Sequence, residues 1–396
     1  MLRVFTTLWL GQLIAPCGLI GYVLYRVLFG PELRDSVWPI TAGAPVWIVA
    51  AVLLFVALRT KRRMLLRVSL LLWSTALTWS AITAVLHVRH IRVDVPLALW
   101  RVRQRLAGRP IDGKTIGQMY REHPRYSWWH RPSAQGRQQT YDFDVHYTTD
   151  ENCFRVTPTP PKPATEILCL GCSFTFGAGV ADDQNYPAIL GKRFWSDFKV
   201  RNAGVCGWGT SQAVLLTEDY FASHPAPALV LYGWIAFHPE RNFLRKSWLE
   251  ANEAHPLRHV PYFELEGDGL AFRGLRGPEA ALPDSPALLQ TELELSARML
   301  AEIGRICRKH GSRFVVVLLP CDLSSSDRNR ENDAVTDEVK SRLGARNLEF
   351  VDVRHTRAEF PRESLYFSRD NHPRPLWHER IAQSIADAVI PRRASE

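Results

Sequence analysis

Three short segments of this 396-residue chain carry residue types that could do nucleophilic chemistry. In the first, Leu170-Gly171-Cys172-Ser173-Phe174-Thr175-Phe176-Gly177, a serine closely follows an apolar run and opens a new segment. A serine at a strand-to-helix turn is exposed as a nucleophile, and its own N–H faces the place where an oxyanion would form. The last segment, Asp370-Asn371-His372-Pro373, sets a carboxylate two residues from an imidazole. On one turn the carboxylate can hold the Nδ1–H while Nε2 faces a nucleophile. Between them, Asn202-Ala203-Gly204-Val205-Cys206-Gly207-Trp208-Gly209 offers glycines that let backbone amides approach a ligand closely. Each segment alone is ambiguous, since Gly-rich turns also cradle phosphates and Asp-x-His occurs on ordinary surface loops. The first segment matches neither G-x-x-x-x-G-K-[ST] nor G-x-G-x-x-G, and the Gly-x-Ser-x-Gly elbow is absent.

The elements around these segments decide among the readings. Short β-rich runs at 167–170, 200–203, 229–232, 314–319 and 350–353 alternate with helical periodicity. Leu289, Leu293, Leu300, Ile303 and Cys307 mark one helix; Trp377, Ile381, Ile385 and Val389 mark another, with Pro373 and Pro375 suiting its first turn. Such alternation predicts an α/β domain whose parallel sheet is covered on both faces. In such sheets ligands bind beyond the carboxyl ends of the strands. Ser173 follows the first strand, Gly204 closes the second, and Asp370 and His372 lie between the last strand and the last helix. Residues 243–286 break the rhythm and read as an insertion.

Taken together, the three segments resemble the sequence blocks of the SGNH (GDSL-type) hydrolase superfamily over about residues 140–390. Cys172 stands where that family usually has Asp, and Cys153-Phe154-Arg155 is similar to a run that often precedes its first block. The resemblance implies a three-layer α/β/α, flavodoxin-like domain, with Ser173 as nucleophile, His372 as base and Asp370 as its partner. It assigns the Ser173 and Gly204 amides to the oxyanion. The third block departs from the pattern. Where the family has Gly-x-Asn-Asp, this chain reads Gly233-Trp234-Ile235-Ala236, and Ile235 cannot donate a hydrogen bond. His238 or Asn242 is the candidate substitute, because losing one donor costs about a hundred- to a thousand-fold in rate. His238 can equally be structural or part of a binding face. His355 and His378 are expected at the surface.

The activity implied is acyl transfer through a serine ester, to water in an esterase or to a sugar hydroxyl in an O-acyltransferase, with no metal or organic cofactor. The rival reading is a non-catalytic module that binds glycan or docks a partner such as a polysaccharide synthase or membrane acyltransferase. Three expected parts are a transmembrane region (1–92), a stem or linker with a short β segment near 141–147 (93–165) and the hydrolase-like domain (166–396). The stem ends in the Pro-rich stretch 157–163, a stiff connector. Apolar stretches at 4–29, 37–58 and 68–88 each approach the roughly 20 residues that cross a bilayer. The basic loop 59–63 favours the cytoplasmic side, which places the large domain outside, in a periplasm or its equivalent. Three spans without intramembrane charge pairs give no ion pathway, against a channel or transporter.

Charge follows the same division. Residues 1–137 hold nineteen Lys/Arg against five Asp/Glu, so with a net charge of +9 overall the remainder carries −5. Basic residues confined to the membrane-proximal part argue against nucleic acid; Arg101, Arg103, Arg105 and Arg109 suit anionic lipid headgroups. The expected substrate is an acylated saccharide or lipid-linked sugar. Seven cysteines make no disulfide framework. Cys169, Cys172 and Cys206 read as small core hydrophobes rather than a metal or redox set.

Overall fold

The computed structural model describes residues 115–251, 259–267, 269–283, 285–322 and 326–389, with positions 64, 68, 70, 74, 100, 102–104 and 106. The chain divides into two compact units, Met1–Ile111 and Asp112–Glu396. In the first unit the described positions are helical. The three expected spans lie outside the described residues except for Val68, Leu70 and Ser74. Among the described residues no helix is long and apolar enough to cross a membrane.

The second unit is built on five parallel strands: β5 (Thr165–Gly171), β6 (Phe198–Gly204), β7 (Leu229–Trp234), β10 (Arg313–Leu318) and β11 (Phe350–Asp352). Their spatial order is β11-β10-β7-β5-β6. Renumbered within the sheet this is 2-1-3-4-5, the flavodoxin-like order, whose topological switch point lies between β5 and β7. Every strand expected from sequence is present. Alternation along the strands sends side chains to two cores. Leu168, Leu170, Val230, Tyr232, Val316 and Leu318 pack on one face against helices α2 (Thr210–Ser223), α4 (Leu289–Lys309) and α5 (Ser326–Ala345). Ile167, Cys169, Leu229, Leu231, Val315 and Val317 pack on the other against Tyr186, Leu190, Trp377 and Ile381. The last two belong to α6 (Pro375–Ala388). The three-layer α/β/α arrangement follows from this two-sided burial.

Helix α5 is the element that the apolar pattern hides. Among its described side chains only Thr336, Val339 and Leu343 are buried, which leaves a narrow apolar stripe for a helix of this length. The expected insertion carries a separate antiparallel hairpin, β8 (Val260–Glu266) with β9 (Gly269–Arg276), outside the central sheet.

The expected boundary at 165/166 is corrected. Residues 115–165 belong to the same compact unit as the sheet. They form two hairpins, β1 (Tyr120–His123) with β2 (Ser127–His130) and β3 (Gln135–Gln139) with β4 (Asp144–Thr148). Trp128, Trp129 and Phe154 are buried in the core shared with α2, and Arg155 bridges to Asn202 of edge strand β6. A chain that buries that much aromatic surface is part of the domain and not a spacer.

Candidate active site

The nucleophile segment is shaped by glycines. Strand β5 ends on Gly171 at φ +152°, in register with Gly204 of β6 on one side and Gly233 of β7 on the other. The one-turn helix α1 (Ser173–Phe176) lies directly over this row. A Cβ at Gly204 would run into the Phe176 backbone nitrogen, and one at Gly171 or Gly233 into the Thr175 side chain. Beneath the helix, Asn202 Nδ2 donates to Thr175 O at 3.0 Å and to Asn185 Oδ1 at 3.1 Å. Arg155, fully buried, donates to Phe176 O, to Gly177 O (2.7 Å) and to Val180 O (2.6 Å), and pairs with Asp182 at 3.0 Å. Its guanidinium also lies over the Phe176 and Tyr147 rings at 4.5 and 4.8 Å. Burial lowers the Arg155 pKa and Asp182 opposes that shift. A charge this deep needs such a full set of acceptors. Ser173 therefore opens a helix fixed from below on all sides, at 6 % exposure.

The acid–base loop is built differently. Residues 366–373 fold back on themselves, with Phe367 N donating to His372 O at 3.0 Å and a bridge between Tyr366 and Pro373. Asn371 turns the chain at φ +62°, a conformation that Asn tolerates better than most residues. This turn sends Asp370 and His372 to the same side. His372 Nδ1 meets Asp370 Oδ1, and His372 Nε2 lies 2.7 Å from Ser173 Oγ, across 199 positions of sequence. Their side chains remain 25 % and 21 % exposed for His372 and Asp370. The Phe174 ring, 5.5 Å from the imidazole, covers part of it. Three residues singled out from sequence thus meet in the order Ser–His–Asp that acyl transfer uses.

Other expectations are corrected. The Gly204 N–H is engaged by Asn202 Oδ1 at 3.0 Å and lies under α1, so it does not face the space before Ser173 Oγ. Three residues on, Gly207 turns at φ +83°; its N–H has no hydrogen bond among the described residues, and Trp128 packs beside it. Asn242 cannot substitute for the missing donor. Its Oδ1 caps α2 by accepting from Thr210 N (2.7 Å) and Ser211 N, and its Nδ2 donates to Ser296. His238 is fully enclosed, with Nδ1 2.9 Å from Tyr232 Oη, and has no contact with Ser173 or His372 among the described residues. Burial, with Arg241 nearby, drives its pKa well down. His355 is exposed as expected, but His378 is fully buried, receiving Tyr186 N at 3.3 Å. Burial holds His378 at about 3.

Several residues of the site carry no local sequence signal. Asp142, in the β3–β4 turn, accepts from Ser368 Oγ (2.6 Å), Arg369 N (2.8 Å) and Asp370 N (2.9 Å). Tyr147 of β4 accepts from Gly179 N at 2.9 Å. Both belong to the segment expected as a stem, and only pairing across the fold reveals them. Cys169 and Cys172 are buried and unbridged in the apolar core, and burial pushes the Cys206 thiol up to about 12. Among the described residues no cluster of three or more His, Cys, Asp or Glu is arranged to hold a metal ion.

No protein-family profile matches the chain, and no curated protein matches it. Similar solved structures include an acetyl xylan esterase, AlAXEase, at 13% identity, covering 57% of this chain and 100% of its own, with TM-score 0.38. A catalytic mutant of Axe2, an acetylxylan esterase from Geobacillus stearothermophilus, is 15% identical, with 57% and 94% covered and TM-score 0.37. A member of the lipolytic protein G-D-S-L family from Veillonella parvula is 13% identical, with 56% and 96% covered and TM-score 0.36. At these scores the fold assignment rests on the strand order and register above.

Proposed function

We propose that residues 112–396 form an SGNH-type serine acyl-transfer domain, acting as an esterase or an O-acyltransferase. The observation that carries this reading is the unbroken chain Ser173 Oγ–His372 Nε2 and His372 Nδ1–Asp370. His372 takes the Ser173 proton as Oγ attacks an acyl carbonyl, and Asp370 holds the imidazole in the tautomer that can do so. The Ser173 and Gly207 amides receive the oxyanion, because both lie at turns beyond the strand ends and Gly204 does not. His372 then gives its proton to the leaving hydroxyl. Water, or a sugar hydroxyl, is deprotonated by the same imidazole and releases the acyl group from Ser173. With Ile235 in the third block and His238 and Asn242 engaged elsewhere, none of these positions adds a third donor, which predicts a modest rate.

The substrate class we propose is an acylated saccharide, such as an acetyl ester of an envelope or exported polysaccharide, or a lipid-linked sugar. The apolar stretches of residues 1–92 support a membrane-held site on the outer side of the bilayer, beside a membrane acyltransferase or polysaccharide synthase. The test is hydrolysis of p-nitrophenyl acetate and labelling by a fluorophosphonate, using the full chain and its Ser173→Ala variant. Turnover and labelling lost only in the variant support the reading. A folded wild-type chain that does neither overturns it in favour of a glycan-binding or docking module.

A further inference from the structure

The hairpin β3–β4 reaches both halves of the proposed catalytic machinery. At its tip, Thr140 N donates to Phe143 O at 2.8 Å and Thr140 Oγ1 accepts from Asp142 N and Phe143 N, which fixes the turn. Phe143 packs on Phe367 with ring centroids 4.9 Å apart, and Phe143, Val180 and Phe367 form one small apolar cluster. Val180 follows the nucleophile helix, whereas Phe367 precedes the acid–base pair. The same hairpin anchors Gly179 through Tyr147. One rigid element therefore sets the two halves against each other.

The polar part of this contact is concentrated on one side chain. The half-buried Asp142 carboxylate receives two consecutive amides, those of Arg369 and Asp370, together with the Ser368 hydroxyl. A carboxylate accepting adjacent backbone N–H groups acts as a helix cap does, fixing backbone direction with charge-assisted bonds. The residue whose backbone is held is Asp370 itself. His372 lies two residues further on and must keep Nε2 within reach of Ser173 Oγ. The loop's own backbone pairing and the buried Phe367 fix its base, and the Asp142 carboxylate adds the bonds at its exposed tip, Ser368 and Arg369, next to Asp370. Displacement of a reacting group by 1 Å costs about a hundredfold in rate.

We propose that Asp142 is a positioning residue for acyl transfer, acting through the Asp370 backbone on the placement of His372. This inference rests on the serine reading above, and its test separates the two. In the full chain, Asp142→Ala is expected to lower kcat for p-nitrophenyl acetate about a hundredfold, with KM and the thermal midpoint near wild type. Fluorophosphonate labelling should slow in proportion. Asp142→Asn, whose Oδ1 still accepts amides, should recover most of the loss, and Ser368→Ala should change little. Amide hydrogen exchange gives a readout independent of turnover: the peptide containing 367–372 should exchange faster in Asp142→Ala than in wild type. Unchanged exchange, or unchanged kcat and labelling in Asp142→Ala, overturns the positioning role. A wild-type chain that neither labels nor turns over, with exchange still faster in the variant, overturns the serine reading and leaves the loop contact standing.

Discussion

The two halves of the site are held in place by opposite means. The turn that carries Ser173 is set by close packing in the interior: a row of three glycines and Asn202 beneath it, and a buried arginine on its carbonyls. The loop that carries Asp370 and His372 folds back on its own backbone and is tied to the rest of the domain by side chains near the surface: one carboxylate on its amides, and a cation–π contact of Arg369 over Tyr141 at 5.0 Å. Close-packed backbone has no room to adjust, whereas polar contacts at a partly exposed loop shift readily. Substitutions around the first half should therefore be read out as stability, and substitutions in the second as rate.

The largest expected effect tests the second half of that contrast. His372→Ala, like Ser173→Ala, should lower kcat by about 10⁴- to 10⁶-fold, and thermal melts should leave both variants folded near wild type. Asp370→Asn is expected to lose about 10³- to 10⁴-fold, because the amide favours the wrong imidazole tautomer. Steady-state kinetics on p-nitrophenyl acetate would check both; a variant with unchanged kcat would place the chemistry elsewhere.

The first half should fail through folding. Gly204→Ala pushes a methyl into the Phe176 backbone, where no side chain can move aside. We expect a loss of about 3 kcal/mol in urea unfolding, at the upper end for an overpacked site. A stable, soluble Gly204→Ala chain with only its rate impaired would break the comparison.

The remaining expectation concerns pH. Burial holds His378 near 3 and His130 near 4, against 6.5 for the unfolded chain. Below pH 6.5 the unfolded chain binds these protons and the native chain does not. Stability should therefore fall as pH drops from about 6.5 to the folded values, by up to about 1.4 kcal/mol per pH unit for each histidine. Urea midpoints measured between pH 7 and 4 should show a shallower slope in His378→Gln than in wild type. Equal slopes would mean that His378 is protonated in the native state.

What could be read in the sequence follows the range of the interactions involved. Strands β5, β6, β7, β10 and β11 announce themselves by dense apolar runs, and the Asp-x-His turn after the last strand is visible because both residues share one loop. Helix α5 was hidden because so little of it is buried. The contact of Asp142 with Asp370 spans 228 positions and leaves no local mark. Gly204 and Asn242 misled for a related reason. Their residue types suit an oxyanion site, but register places Gly204 beneath α1, and Asn242 faces the amino end of α2. The same holds for His378, where spacing along α6 gave no sign that it faces Tyr186.

The central claim is that Ser173 forms an acyl-enzyme under control of His372. The most direct measurement is the intact mass of the full chain after fluorophosphonate treatment, with the modified residue mapped by peptide sequencing. One adduct is expected, on Ser173, absent in Ser173→Ala and strongly slowed in His372→Ala. An adduct on another residue, or labelling indifferent to His372, would contradict it.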